Sequence, residues 1–231
     1  MDKTKGLTPI SSRSGAHFED PLMLISRTLS KLVTLWLNLT YPFASLGRDL
    51  SVHYTVLLHR PMAPRIKLGN SVTVGKDVWL NIIPEATDPL NIIIDDHCRI
   101  AARTWISAKN HIHIERDVTI APEALIMDHG HAYENPNLSI RRQPAMEGGR
   151  IRIERGCAIG RGAAIVCSGG ELVLGHDSVV APNAVVVRSQ PPYSLISGSP
   201  ARVIERLGLS RAGLGASSRA SKPEEPGSLQ A

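Results

Sequence analysis

The sequence predicts an all-β chain wound as a parallel β-prism of about five coils, with a helical segment ahead of it and a short helix behind. Three observations carry this. Aliphatic residues recur six apart in triplets: Leu68, Val74, Leu80; Ile94, Ile100, Ile106; Ile114, Ile120, Ile126; Ile153, Ile159, Ile165; and Leu174, Val180, Val186. Four residues after the first two members of every triplet stands a small or β-branched residue: Val72, Val78, Cys98, Thr104, Val118, Ala124, Cys157, Ala163, Ser178 and Ala184. Each unit opens with an aliphatic pair two apart (Ile66/Leu68, Ile92/Ile94, Ile112/Ile114, Ile151/Ile153, Leu172/Leu174), the alternation of a strand with both members on one side.

Six residues per repeat and three repeats per unit describe a triangular prism, each side a short strand and each corner a turn. Coils stacked as parallel strands about 4.8 Å apart give a prism on the order of 25 Å tall. One large aliphatic and one small residue per turn fill its narrow interior without aromatics. The composition agrees, with 21 Ile and 15 Val against 3 Trp, 4 Tyr and 2 Phe in 231 residues, a balance that argues against a helical bundle. Nineteen Gly and sixteen Pro supply corners and are too few for a collagen-like or wholly disordered chain.

The elements follow in order. Residues 1–20 lack the apolar core of a signal peptide and read as a flexible terminus. Residues 21–64 hold a basic helix from Pro21 to Leu39, suited to cap the first coil and cover its open strand edge, and a connecting segment with a partial strand at Ser51 to Leu58. Arg27 and Lys31 interrupt the most apolar window, Leu22 to Leu39, so no membrane span is expected and any membrane contact is peripheral. The prism occupies 65–200. Its third corner breaks the repeat in every unit, with insertions at Asn81 to Leu90, Ser107 to His111, Met127 to Arg150 and Cys167 to Glu171. The longest, MDHGHAYENPNLSIRRQPAMEGGR, exceeds the roughly 12 to 15 residues usual for a loop and is where function is expected. Residues 201–209 suit a terminal helix, and 210–231 are too polar and small to bury anything, hence a disordered tail.

Lys and Arg outnumber Asp and Glu by 26 to 21, a formal +5 compatible with a polyanion, a phosphorylated cofactor or an acidic membrane. The cations are scattered without interleaved aromatics and no phosphate-binding glycine loop is present, so nucleic acid is not expected. Cys98 and Cys157 fill inward small-residue positions equivalent to Ala124 and Ala163, which packing explains. Three cysteines without CxxC spacing point to a reducing cytoplasm rather than a disulfide framework, and no metal is expected.

The repeat, the DHGH at Asp128 to His131 and the ending APNAVVVRSQPPYSLISGSPARVIERL together resemble, from Ile66 to Leu207, the hexapeptide-repeat acyltransferases. These are left-handed parallel β-helix enzymes that include maltose, galactoside and surface-polysaccharide O-acetyltransferases. The resemblance implies the left hand, acetyl-CoA as co-substrate, a sugar or glycan acceptor in exopolysaccharide or lipopolysaccharide biosynthesis, and a homotrimer with its sites between neighbouring subunits. It implies that His129 is the base, since an imidazole of ordinary pKa about 6.5 can take a proton from a sugar hydroxyl near neutrality. Asp128, Tyr133 and Ser107 fall to the acceptor site; His131 either lines it or is a solvated loop residue. For the cofactor it implies Gly162 and Ala181 beside the pantetheine arm, Arg188 and Arg202 near the phosphates, and Ser199, Pro200 and Ala201 near the adenine, although Arg188 read alone is equally a solvated corner charge.

Two positions depart from the family pattern. Ala158-Ile159-Gly160 stands where many members carry a Trp before Ile-Gly, so an aromatic wall is absent, and Val187 precedes Arg188 where Thr is common. Two other classes remain. A zinc hydratase of the carbonic-anhydrase type would use His111, His113 and His129, which are poorly spaced for it. A non-catalytic β-helix trimer would keep the repeat and lose the transfer activity.

Overall fold

In-register stacking organises the chain. The computed structural model describes residues 21–86, 88–144 and 146–207; the flexible terminus expected at 1–20 and the disordered tail expected at 210–231 lie outside the described residues. Helix α1 (Pro21–Thr40) leads into six coils. The first is β1 (Ser45–Leu46), β2 (Ser51–Val52) and β3 (Leu57–Leu58), and the second is β4 (Ile66–Leu68), β5 (Thr73–Val74) and β6 (Trp79–Ile82). The third is β7 (Ile92–Ile94), β8 (Arg99–Ile100) and β9 (Trp105–Ala108), and the fourth is β10 (His111–Ile114), β11 (Thr119–Ile120) and β12 (Leu125–Met127). The fifth is β13 (Gly148–Ile153), β14 (Ala158–Ile159) and β15 (Ala164–Val166), and the sixth is β16 (Gly169–Leu174), β17 (Val179–Val180) and β18 (Val185–Val186). Strands β19 (Ser194–Gly198) and β20 (Ala201–Arg206) close the chain.

Corresponding strands of successive coils form three parallel sheets, β1-β4-β7-β10-β13-β16, β2-β5-β8-β11-β14-β17 continued by β19 and β20, and β3-β6-β9-β12-β15-β18. Register keeps like against like: Leu68, Ile94, Ile114, Ile153 and Leu174 form one column, and Leu58, Leu80, Ile106, Ile126, Ile165 and Val186 another. Every member of the five sequence triplets and every small residue four positions on is buried. The corners share one backbone device. The third residue after each of the first two triplet members has a positive φ: Ser71, Asp77, His97, Arg103, Asp117, Glu123, Gly156, Gly162, Asp177 and Asn183. This left-handed residue turns the chain by about a third of a circle, and short polar side chains and glycine tolerate it best.

The structure corrects the sequence reading in two places. Residues 41–64, expected as a connecting segment with one partial strand, complete a coil of their own, because Leu46, Val52 and Leu58 are also six apart; Leu50 and Val56 follow four residues after the first two and pack against the core. Residues 201–206, expected in a helix, form β20 antiparallel to β19. A helix that short is marginal alone, whereas a strand pairs the exposed edge of β19 and places Ala201 and Val203 against the core.

Cys98 and Cys157 lie inside the prism, and burial pushes both thiols up to about 11, so packing rather than thiol chemistry accounts for them. Outside, side chains link neighbouring coils. Glu115 accepts from Arg152 Nε at 2.8 Å and Nη2 at 2.6 Å and from the Arg155 backbone N–H at 3.0 Å. Burial works against its charge, yet those donors outweigh it and hold the carboxyl below its usual range. A carboxylate whose pKa is depressed by folding stabilises the native state above its unfolded pKa, about 4.3, and loses that contribution as pH falls through the folded value. Glu115→Gln should therefore cost stability at neutral pH, with the cost shrinking toward pH 3. Urea unfolding of both proteins at a series of pH values checks this; a pH-independent difference would mean that the charge is not what matters.

Candidate active site

The third corner, where β12 ends and the long loop leaves, builds a polar cage around one carboxylate. Asp128 is fully buried. Its Oδ1 accepts from the Lys109 backbone N–H at 2.6 Å and its Oδ2 from those of Asn110 and His111, both at 2.9 Å. These three donors are the turn of the preceding coil at the same corner, between β9 and β10. The fourth contact is His129 Nδ1, 3.1 Å from Oδ1. An ionised carboxylate offers about four acceptor positions, and all four are taken. Asp128 therefore cannot hold an acceptor sugar, as the resemblance implies. Its remaining contact holds the neighbouring imidazole.

The orientation has a chemical consequence. A carboxylate can only accept, so Nδ1 of His129 carries the proton and Nε2 of the neutral ring keeps its lone pair. The ring is largely buried, with 13% of its side chain exposed, and Nε2 has no hydrogen-bond partner among the described residues. A largely buried imidazole held from behind by a carboxylate, with a free basic nitrogen in front, can abstract a proton from a bound hydroxyl.

The long loop is fastened around this cage. Met146 N–H donates to Gly130 O at 2.9 Å and Ala132 N–H to Pro144 O at 3.1 Å, so the outgoing and returning limbs pair. Lys109 Nζ donates to Met146 O, and Asn110 Nδ2 to Glu147 O at 3.0 Å. The same 109–111 turn thus holds both Asp128 and the loop's return. Gln143, buried, braces the loop tip through Asn135 and Leu138. Between the limbs and the next coil lies a cleft of about 380 Å³ lined by Ala132, Glu134, Met146 and Ser168 to Gly170, among others. Ser168 approaches the loop root, since a Cβ on Gly130 would sit 3.7 Å from its Oγ.

The other sequence candidates divide into those near the cage, those in solvent and those along one prism edge. Ser107 is buried beside Met127 across the ladder, and its hydroxyl accepts from Asn81 Nδ2 at 2.9 Å. His131 and Tyr133 project into solvent, Tyr133 with 70% exposure. His111 and His113 have partners of their own, the Leu90 carbonyl at 3.0 Å and Asp95 Oδ2 at 2.8 Å. Among the described residues no three His, Cys, Asp or Glu side chains come together as a metal-ligand set.

Arg188 and Arg202 meet in one groove of about 390 Å³ at the end of the prism, with Pro200 and Ala201 in its wall and Ser199 exposed beside them. Gly162 takes a left-handed turn, with a φ of +66°, where a Cβ would lie 2.4 Å from Asn183 Oδ1. Ala181 is on the adjoining coil, tied to Ile196 O. The groove's near wall, Val187 to Gln190, follows β18 as His129 follows β12. The two sites therefore share one edge of the prism, two coils or about 10 Å apart along the axis. The sequence reading missed the 109–111 turn, whose backbone amides leave no residue signature.

The prism is the hexapeptide-repeat fold, a left-handed parallel β-helix. No protein-family model matches the sequence, and no curated protein matches it either. Solved structures share the fold. The N-acyltransferase AntD of Bacillus cereus, in complex with dTDP and 3-hydroxybutyryl-CoA, superposes with a TM-score of 0.59 at 18% identity over 77% of this chain and 87% of its own. A hexapeptide-repeat-containing acetyltransferase of Vibrio cholerae O1 biovar eltor, complexed with acetyl coenzyme A, superposes with a TM-score of 0.51 at 20% identity over 82% and 91%.

Replacing Asp128 by Asn turns one carboxylate acceptor into an amide donor facing backbone N–H groups. Asp128→Asn should lower stability by about 1 to 3 kcal/mol. It should also release the His129 tautomer, reducing turnover by more than the loss of folded protein explains. Thermal unfolding and activity per folded molecule check this together; a stable, fully active variant would remove the cage from the account.

Proposed function

We propose that the protein is an acyltransferase that moves an acyl group, acetyl by preference, from coenzyme A to a sugar hydroxyl, within surface-polysaccharide assembly in the cytoplasm. The observation that carries this is the Asp128-His129 pair, with its free Nε2, on the same prism edge as the Arg188/Arg202 groove. Coenzyme A is long and phosphorylated, so it suits an extended path with cations at one end. The shared fold of the two CoA-bound acyltransferases supports the same donor.

His129 Nε2 takes the proton of the acceptor hydroxyl as its oxygen attacks the thioester carbonyl. The carbon–sulfur bond then breaks, and the proton passes from Nε2 to the departing thiolate. The buried carboxylate of Asp128 stabilises the imidazolium that forms between the two steps. Arg188 and Arg202 pair with the cofactor phosphates. Ser107, His131 and Tyr133 surround the acceptor, the exposed pair reaching it when a second copy closes the site. A trimer is favoured by an apolar stripe on the outer face of one sheet. There Leu57 and Trp105 are 58% and 51% exposed and Trp79 meets Trp105 edge-on at 5.1 Å.

Thiol release from acetyl-CoA and from 3-hydroxybutyryl-CoA, across a panel of sugars and amino sugars, tests the reading. Transfer should occur to a hydroxyl, and His129→Ala should keep CoA binding while lowering turnover by roughly 10² or more; activity within threefold of wild type would overturn the role of His129. Arg188→Ala or Arg202→Ala should raise the KM for the acyl-CoA about ten- to a hundredfold, the worth of one charge-assisted contact, with a smaller effect on the acceptor. Unchanged CoA affinity in both variants would move the phosphate site elsewhere.

A further inference from the structure

Helix α1 packs on the first coil with its amphipathicity reversed. Toward the prism it turns hydroxyls. Ser30 is buried, Thr34 Oγ1 accepts from the Val52 N–H at 3.0 Å, Ser26 Oγ lies 3.2 Å from His53 Nε2, and among the described side chains of the helix Leu37, buried, and Val33, half-buried, are the aliphatics packed on the core. Away from it project Ile25, Leu29, Leu32, Trp36 and Leu39, exposed by 70, 41, 58, 54 and 77%. Their 4-3-4-3 spacing confines them to an arc of about 80° at 100° per residue. Leu35, 57% exposed, widens the stripe on one side. A surface helix ordinarily turns such a stripe inward, and one left open marks a contact surface.

Charge beside the stripe identifies the occupant. The helix sequence holds Arg27 and Lys31 and no acidic residue. Lys31 and Arg48 line one groove along the flank next to Leu35, with Asp49 its only acid, and neither cation has an ion-pair partner among the described residues. Arg60, donating to Thr40 O at 3.0 Å, sets a third cation at the helix C-terminus. Two copies meeting through this face would oppose cation to cation, whereas anionic phosphates would neutralise them while acyl chains receive the stripe. No helix among the described residues is long and apolar enough to cross a membrane, so the geometry suited to this one is to lie along a surface.

We infer that α1 docks the protein on an anionic phospholipid surface, with Ile25, Leu29, Leu32, Trp36 and Leu39 entering the acyl boundary and Lys31, Arg48 and Arg60 meeting headgroup phosphates. This contact is independent of the acyl-transfer chemistry. Flotation of the full chain with phosphatidylcholine vesicles, with and without about 30 mol% phosphatidylglycerol, tests it. The wild type should bind the anionic vesicles at least tenfold more strongly. Lys31→Glu and Arg48→Glu should each weaken that binding about fivefold or more, and Leu32→Gln/Leu39→Gln by tenfold or more. Thermal unfolding should stay unchanged, since these side chains face solvent. Equal binding to both vesicles, no binding to either, or no effect of the double substitution would overturn the inference. So would a fall in oligomeric mass for Leu32→Gln/Leu39→Gln by analytical ultracentrifugation, which would make a second copy the occupant.

Discussion

The prism is so narrow that each coil must present the same side chain at the same place as the coil below. That constraint governs everything else in the molecule. The columns of Leu, Ile and Val that run through the sheets leave no slack for a one-residue slip, because a slip would turn every aliphatic outward. Insertions must leave the helix and return in register. They do so at the third corner, where the left-handed residue that follows the other aliphatics by three positions does not recur. The long loop between β12 and β13 therefore reflects where the stack can be interrupted without disturbing the core.

The same constraint makes the corner a good place for chemistry. A turn in one coil lies directly over the turn of the next, so its backbone N–H groups point at whatever side chain occupies the space between. Asp128 fills that space and satisfies the backbone amides of Lys109, Asn110 and His111. Its remaining acceptor position faces His129. Fold stability and imidazole orientation thus depend on one carboxylate. Further along the edge the stack delivers Arg188 and Arg202 to a common groove, which individually weak sequence signals could not establish.

Much of this was legible in the sequence because the repeat is a physical necessity and leaves a mark at every coil. The spacing of Leu68, Val74 and Leu80 states the fold, and the break at Met127 states where the loop lies. The first coil is faint in the sequence because its strands are two residues long and lack the opening aliphatic pair, although Leu46, Val52 and Leu58 keep the period. The sequence of the terminal strand β20 suits a helix equally well, because the stability of the strand comes from the edge of β19, a partner that local sequence does not reveal. The role of Asp128 was hidden for a similar reason: its partners are backbone amides, which every residue carries. The reversed helix α1 shows the opposite case, in which the apolar stripe is plain in the sequence and only the structure shows that it faces outward.

The claim on which the chemistry rests is that Asp128 fixes the tautomer of His129, leaving Nε2 as the base. Nitrogen-15 NMR of the imidazole at about pH 8, assigned by comparison with His129→Ala, reads the tautomer directly. The account predicts a protonated Nδ1 and an unprotonated Nε2 in the wild type, and loss of that preference in Asp128→Asn. A ring protonated at Nε2 in the wild type would contradict it.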